Sequence, residues 1–157
     1  MERYIVEMEH INKSFPGVKA LDDVSFCLRA GEVMALLGEN GAGKSTLMKI
    51  LSGVYQKDSG TIHIFGKEVQ DLNPKKAQEL GVAIIHQELN LCGHLTVAEN
   101  IFLGHETMKK GLLSDKEMRL KAKKVLDELN MDISADAVVG DLAVSKQQMI
   151  EIARNLI

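Results

Sequence analysis

The residues best suited to chemistry stand together in the first third of the chain, in the stretch Gly38-Glu39-Asn40-Gly41-Ala42-Gly43-Lys44-Ser45. This stretch satisfies every fixed position of the phosphate-binding pattern G-x-x-x-x-G-K-[ST]. Small residues let consecutive backbone N–H groups converge on phosphate oxygens, and Lys44 adds a positive charge for the β- and γ-phosphates. Ser45 supplies a hydroxyl ligand for Mg²⁺, and Thr46 can donate to a further phosphate oxygen. The stretch therefore predicts a site for a nucleoside triphosphate with Mg²⁺.

A loop of this kind needs a strand before it and a helix after it. The apolar run Val33–Leu37 precedes the loop without alternation, which is expected of a strand buried on both faces of a parallel sheet. A helical apolar stripe follows the loop, and Gly53 is its expected C-terminal stop. A second continuous apolar run, Val82–Ile85, predicts another buried strand.

The rest of the chain divides into a β-rich part and a helical part. The first thirty residues read as strands around a Pro16-Gly17 turn, and residues 60–69 read as a small hairpin. Asn73-Pro74 predicts the start of a short helix that ends at Gly81. Three capping-box patterns then predict helices, namely Thr96 with Glu99, Ser114 with Glu117, and Ser145 with Gln148. We therefore expect a β subdomain with the phosphate-loop core over residues 1–87 and a helical subdomain over residues 88–157.

The composition limits the classes of protein that are possible. The chain has 157 residues, a formal net charge of −3 and only 4% aromatic residues, which does not favour binding to nucleic acid. Its apolar runs are too short to span a bilayer, and Cys27 and Cys92 cannot form a disulfide framework. The five histidines lack the spacing typical of metal sites. We expect a soluble, cytosolic chain of about one domain.

Several separate motifs, taken in order, resemble the ATP-binding-cassette (ABC) ATPases over nearly the whole chain. They most resemble the first cassette of bacterial monosaccharide importers of the ribose, galactose and xylose type. The matching stretches are residues 19–26, the loop Gly38–Thr46, His86-Gln87-Glu88-Leu89-Asn90-Leu91, Leu95–Gly104 and Gln147–Arg154.

The resemblance implies an α/β fold, with a P-loop NTPase core of the ABC type, a small antiparallel β subdomain and a helical subdomain. It implies that Phe15 stacks on adenine beside Val18, and that Gln87 touches Mg²⁺ or the attacking water. Lys44 and Gln87 are then the candidate catalytic residues, and Ser45 and Gln87 the contacts to Mg²⁺. Leu89–Gly104 matches the surface that contacts a helix of the membrane permease. The implied nucleotide-binding residues are Phe15, Val18, Gly38, Glu39, Asn40, Gly41, Ala42, Gly43, Lys44, Ser45 and Thr46.

The chain departs from the family pattern at the signature loop L-S-G-G-Q. The aligned residues are Leu142, Ala143, Val144, Ser145 and Lys146. The serine that would donate to the γ-phosphate in the partner cassette is Ala143, and losing such a donor costs on the order of 10²-fold in rate. Ser145 is the expected cap of the following helix and could substitute in part.

A second departure is that the sequence stops inside the signature helix. The family's magnesium-binding Asp, catalytic Glu and switch His would follow that helix, so we expect a fragment of a longer protein, cut before the strand that carries the Asp. The chain alone is then expected to bind Mg-ATP weakly and to hydrolyse it negligibly.

The leading hypothesis is an ATP-binding subunit of a sugar importer, peripheral on the cytoplasmic face of the cell membrane. Its expected partners are a second cassette, the permease subunits and, indirectly, a sugar-binding protein. An alternative is a non-catalytic nucleotide-binding or regulatory module, in which Ala143 is a native feature. A cassette of DNA repair or chromosome organisation is a third possibility, which the lack of coiled-coil heptads disfavours.

Overall fold

The computed structural model describes residues 4–85, 89–105, 108–109 and 112–156. The backbone forms two compact units, residues 1–83 and residues 84–157. Over the described residues the first unit contains a sheet and two helices, and the second unit is mainly helical.

The first unit is built on a four-stranded antiparallel sheet in the order β2-β1-β3-β4. Its strands are β1 (Tyr4–Phe15), β2 (Val18–Arg29), β3 (Ser59–Ile64) and β4 (Lys67–Glu68). The β1–β2 hairpin turns at Pro16-Gly17, and Phe15 pairs with Val18 beside the turn. The β3–β4 turn, Phe65-Gly66, confirms the predicted hairpin, and both of its residues have positive φ.

Helix α1 (Lys44–Leu51) covers one face of this sheet, as the predicted apolar stripe requires. The core joins the inward-facing positions of the strands to the inner face of the helix, and includes Val6, Met8, Ile11, Leu21, Leu47, Ile50, Ile62 and Ile64. Alternation along β1 and β3 sends the neighbouring positions to the other face, because successive strand residues point to opposite sides.

The two predicted parallel strands are absent. Residues 33–37 are irregular, and the side chains of Val33 and Leu37 are 98% and 88% exposed. Residues 82–85 are also irregular, and Ile85 is 52% exposed. A strand needs a neighbour to bond its N–H and C=O groups, and none of the described strands pairs with either run. The prediction of buried strands was therefore wrong for this chain.

Helix α2 (Pro74–Glu79) begins and ends where the sequence indicates. The Asn73 side chain accepts a hydrogen bond from the Lys76 N–H at 2.9 Å, and Pro74 occupies the first helical position. Gly81 follows the end of the helix with φ near 81°. The helix therefore has an N-terminal side-chain cap and a left-handed C-terminal residue.

In the described part of the second unit, three helices pack around one core. They are α3 (Val97–Phe102), α4 (Asp115–Glu128) and α5 (Val144–Arg154). A short antiparallel pair of strands, β5 (Met108–Lys109) and β6 (Leu112–Leu113), and a 3₁₀ turn at Val139–Asp141 complete the described part of this unit. Fully buried side chains from all three helices meet in the core, among them Val97, Ile101, Ala122, Leu126, Ile150 and Ala153.

Of the three predicted capping boxes, only the first is complete. The Thr96 hydroxyl accepts from the Glu99 N–H, and the Glu99 carboxylate accepts from the Thr96 N–H at 2.7 Å. Ser114 occupies the N-cap of α4 but its side chain forms no cap bond. The prediction for Ser145 was wrong, because the Ala143 carbonyl already accepts from the N–H groups of residues 146 and 147. Ala143 is therefore the N-cap, and Ser145 lies inside the first turn of α5.

Within the described ranges, no helix combines the length and the hydropathy needed to cross a bilayer.

Candidate nucleotide-binding site

The loop before α1 closes on itself through its own backbone and one side chain. The Ala42 N–H donates to the Glu39 carbonyl at 3.2 Å. The Lys44 side chain folds back over the loop, and its Nζ donates to the carbonyls of Gly38 at 2.6 Å and Glu39 at 2.7 Å. The ammonium group therefore lies against the loop that is the predicted phosphate site.

Gly43 fixes the loop against the sheet. It has φ near 81°, a left-handed conformation, and its carbonyl accepts from the Leu47 N–H at 2.9 Å in the first turn of α1. A Cβ atom at this position would lie 2.4 Å from the Ala20 carbonyl oxygen and 2.7 Å from Leu21 Cδ2. Only glycine allows this approach. The loop is thereby held against β2, close to the β1–β2 turn.

The N-terminus of α1 is open and electrically suited to an anion. Its N-cap is Gly43, which has no side chain to bond the first N–H groups, and the first turn carries no acidic residue. Ser45 is exposed and Thr46 is half-buried, whereas Leu47 and Ile50 are buried in the core. The positive end of the helix dipole and the free N–H groups favour negative charge at this point.

Phe15 and Val18 lie together at the end of the β1–β2 hairpin. Val18 is 58% exposed, and the ring of Phe15 is half-buried. The Phe15 ring meets the Tyr55 ring edge-on, with centroids 5.2 Å apart and planes at 69°. The Lys13 ammonium lies 5.5 Å from the centroid of the Phe15 ring. Sequence reasoning did not identify Tyr55, whose only signal was an aromatic residue just after the helix stop at Gly53.

The end of β1 is also secured by an ion pair. The Lys13 Nζ donates to Asp58 at 2.7 Å, and the Ser14 N–H donates to the other carboxylate oxygen at 2.6 Å. The hydrogen bond from Lys13 and then that from the Ser14 N–H hold the pKa of Asp58 below its ordinary value. These bonds fix the strand next to Phe15.

The predicted residues fall into three groups. The first unit contains the loop residues 38–46 together with Phe15 and Val18. Gln87 lies outside the described residues. The five signature-loop residues, Leu142, Ala143, Val144, Ser145 and Lys146, belong to the second unit and surround the N-terminus of α5.

The signature-loop residues are mostly exposed. Leu142 is half-buried, while Val144 is 61% exposed. Gln147 holds the segment by donating from Nε2 to the carbonyls of Val139 at 3.1 Å and Leu142 at 2.9 Å. The Lys146 Nζ donates to the Asp132 carbonyl at 3.3 Å. Ala143 offers no side-chain donor at the start of the helix.

The glycine-rich loop, the lysine folded over it and the open helix N-terminus together define a P-loop nucleotide-binding protein. The family model of the ABC transporters matches residues 21–157, and the chain therefore belongs to that family. ABC proteins of this family bind nucleotide, and one solved relative was determined in an ADP conformation.

The sequence relatives are import ATP-binding proteins of bacteria. The chain is 54% identical to the ribose import ATP-binding protein of Halalkalibacterium halodurans, over 97% of its own length and 31% of that protein. It is 52% identical to the xylose import ATP-binding protein of Geobacillus kaustophilus, over 99% of its own length and 31% of that protein. The chain therefore spans under one third of the length of these curated relatives.

Solved structures of ATP-binding cassettes share the fold. A nucleotide-free cassette of an ABC transporter matches with a TM-score of 0.84 and 29% identity, over 98% of this chain and 64% of that chain. The cassette in its ADP conformation matches with a TM-score of 0.82 and 31% identity, over the same shares. A dimeric cassette in a post-hydrolysis state with ADP and phosphate matches with a TM-score of 0.76 and 26% identity, over 96% of this chain and 68% of that chain.

Proposed function

We propose that this chain is the nucleotide-binding part of an ATP-binding subunit of a monosaccharide importer. The observation that carries the proposal is the loop 38–46, with the Lys44 ammonium at 2.6 and 2.7 Å from two loop carbonyls beside an open helix N-terminus. The import proteins for ribose and xylose that share more than half of its residues support the substrate class.

The proposed chemistry assigns a role to each part of the loop. The N–H groups of residues 41–46 receive the phosphates, and Lys44 exchanges its bonds to the loop carbonyls for contacts with the β- and γ-phosphates. The Ser45 hydroxyl becomes a ligand of the Mg²⁺ that accompanies the nucleotide. Phe15 offers its ring to the adenine, and Val18 extends that apolar surface. Gln87 orients the attacking water or touches Mg²⁺.

Hydrolysis and transport require partners in this proposal. The N-terminus of α5, with Ala143 and the exposed Val144, faces the γ-phosphate held by a second cassette. The surface of residues 89–104, in which Asn100 and the Thr96–Glu99 capping box fix the backbone, contacts a helix of the permease. The parent protein then works at the cytoplasmic face of the membrane.

Nucleotide binding can be tested by calorimetry on the purified chain, with ATP in the presence and absence of Mg²⁺. We expect Lys44→Ala to weaken the binding of Mg-ATP at least about tenfold, because a charged hydrogen-bonding partner of the phosphates is lost. Lys67→Ala removes an exposed lysine from β4 and is the matched control. Equal affinity of Lys44→Ala and the wild-type chain refutes the proposed site.

The substrate class can be tested with a chimera. The aligned segment of the ribose import ATP-binding protein is replaced by residues 1–157, and ATP-dependent uptake of ribose is measured in cells that lack that protein. Restored uptake that is abolished by Lys44→Ala supports an importer. A chimera that is produced and binds ATP but restores no uptake contradicts it.

One observation favours the alternative, a nucleotide-binding module without catalysis. Ala143 lacks the hydroxyl that the signature loop would offer to the γ-phosphate, and the N-terminus of α5 has no side-chain cap bond. In the same chimera, ATP turnover that Ala143→Ser increases supports the transport role. Binding with no turnover in either version supports the non-catalytic module.

A further inference from the structure

Tyr55 connects the helix that follows the phosphate loop to the aromatic ring at the end of β1. Its backbone N–H donates to the Lys49 carbonyl in the last turn of α1, at 3.1 Å. Its ring meets the ring of Phe15, with centroids 5.2 Å apart and planes at 69°. The Lys49 ammonium lies 5.3 Å from the centroid of the Tyr55 ring. Both the backbone and the side chain of Tyr55 are therefore held by α1.

Apart from the Tyr55 ring, the ring of Phe15 contacts the Lys13 ammonium, 5.5 Å from its centroid. Phe15 is the last residue of β1, it stands next to a two-residue turn, and it is only half-buried. A side chain in such a place keeps much of its torsional freedom unless a neighbour restricts it. An edge-on aromatic contact is a directional restriction, because the edge of one ring is attracted to the face of the other.

We propose that Tyr55 is a positioning residue that orients the Phe15 ring for stacking on the nucleotide base and ties this platform to α1. The inference rests on the proposed function, because Phe15 is a base platform only if a nucleotide binds at the loop 38–46. The phosphates would then bind at the N-terminus of α1, and the base would stack on Phe15 near the C-terminus of that helix. Tyr55 would connect these two parts of the site into one rigid unit.

The inference predicts that Tyr55 affects the binding of the base but not the binding of the phosphates. Loss of the Tyr55 ring weakens contacts to the base but leaves the loop, which binds the phosphates, unchanged. An aromatic pair is worth about a two- to tenfold change in an equilibrium constant. We therefore expect Tyr55→Leu to weaken the binding of Mg-ATP by about that factor and to leave the binding of magnesium tripolyphosphate, which has no base, unchanged.

The experiment is a calorimetric titration of the purified chain with Mg-ATP and, separately, with magnesium tripolyphosphate. The variants are Tyr55→Leu, Tyr55→Met, Tyr55→Phe and the control Tyr4→Leu, which removes the other tyrosine, near the far end of β1. Tyr55→Phe keeps the ring and is expected to bind like the wild-type chain. Tyr55→Met supplies a long, flexible apolar side chain without a ring and replaces Tyr55→Leu if the latter does not fold.

A double variant supplies the decisive comparison. In the background of Phe15→Leu, the further change Tyr55→Leu is expected to have no effect on Mg-ATP binding, because Tyr55 acts through Phe15. Additive losses overturn the inference, as does an equal loss for ATP and tripolyphosphate or a failure of Tyr55→Phe to retain wild-type affinity. If the wild-type chain binds neither ligand, the proposed function itself fails and takes the inference with it.

Discussion

Gly43→Ala is the substitution for which the structure allows the most complete prediction. The new Cβ atom would lie 2.4 Å from the Ala20 carbonyl oxygen, a backbone atom that cannot rotate away, and 2.7 Å from Leu21 Cδ2. The residue would also have to keep φ near +81°, which alanine adopts at a cost of about 1–2 kcal/mol. Both effects act at the junction of the loop, α1 and β2.

The magnitude follows from adding the two effects. Overpacking against a fixed neighbour costs about 1–3 kcal/mol, so the expected loss in the free energy of unfolding is about 2–5 kcal/mol. Gly17→Ala separates the terms, because Gly17 has φ near +82° and nothing within 4 Å of its Cβ position. The free energy of unfolding of that variant should fall by only about 1–2 kcal/mol, because only the backbone conformation is unfavourable.

The assay is urea unfolding followed by tyrosine fluorescence. The chain has two tyrosines, Tyr4 and Tyr55, and no tryptophan, and both tyrosines lie in the first unit, so the signal reports that unit alone. Gly43→Ala should also lose affinity for Mg-ATP, because relief of the clash displaces the loop. Equal destabilisation by the two variants would refute the packing argument, because it would leave only the backbone term.

Four further predictions concern other parts of the chain. Leu47→Ala should destabilise the first unit by about 2–5 kcal/mol in the same assay, because its side chain is 2% exposed in the core; a loss below 1 kcal/mol would contradict this. Val33→Ser and Leu37→Ser should change the stability of this chain by less than about 0.5 kcal/mol, since both side chains are almost fully exposed; a larger loss would mean that they are buried in solution. Asn100→Ala should lower the free energy of unfolding by about 2–4 kcal/mol and speed hydrogen exchange of the Cys92 backbone N–H, because the buried Asn100 side chain accepts from that N–H at 2.7 Å and donates to the Cys92 carbonyl at 2.9 Å. Unchanged exchange at Cys92 would refute that role. The Thr96 N–H and hydroxyl hold the pKa of Glu99 below its ordinary value, so the carboxylate stabilises the fold at pH values above that ordinary pKa, and this stabilisation is lost as the pH falls through the lowered pKa. Glu99→Gln should therefore be less stable than the wild-type chain at pH 7 and equally stable in acid, as measured by urea unfolding followed by circular dichroism. A stability difference that does not depend on pH would refute the assignment.

Local sequence patterns were sufficient to locate the loop before α1 and much of the helical structure. The loop and α1 follow from small residues, one lysine and an apolar stripe, all within a short stretch of chain. The Asn73 cap, the Gly81 stop and the Thr96–Glu99 box follow in the same way. These features depend on hydrogen bonds between residues a few positions apart, so the order of residue types determines them.

Contacts between distant residues decided the rest. The run Val33–Leu37 has the composition of a buried strand, but no described strand bonds its backbone, and a strand cannot form without a partner. Ser145 has a capping pattern, yet the helix begins at Val144, soon after the 3₁₀ turn ends at Asp141, and the Ala143 carbonyl accepts the first bonds.

The same distinction applies within the candidate site. The motif identifies the loop, but only the folded chain shows that Gly43 lies against Ala20, more than twenty positions earlier, and that Tyr55 meets Phe15 across forty positions. Sequence by itself therefore determined which residues form the glycine-rich loop and the helix that follows it. The tertiary structure decided which side chains surround and orient them, because packing between distant segments depends on how the whole chain folds and not on local order.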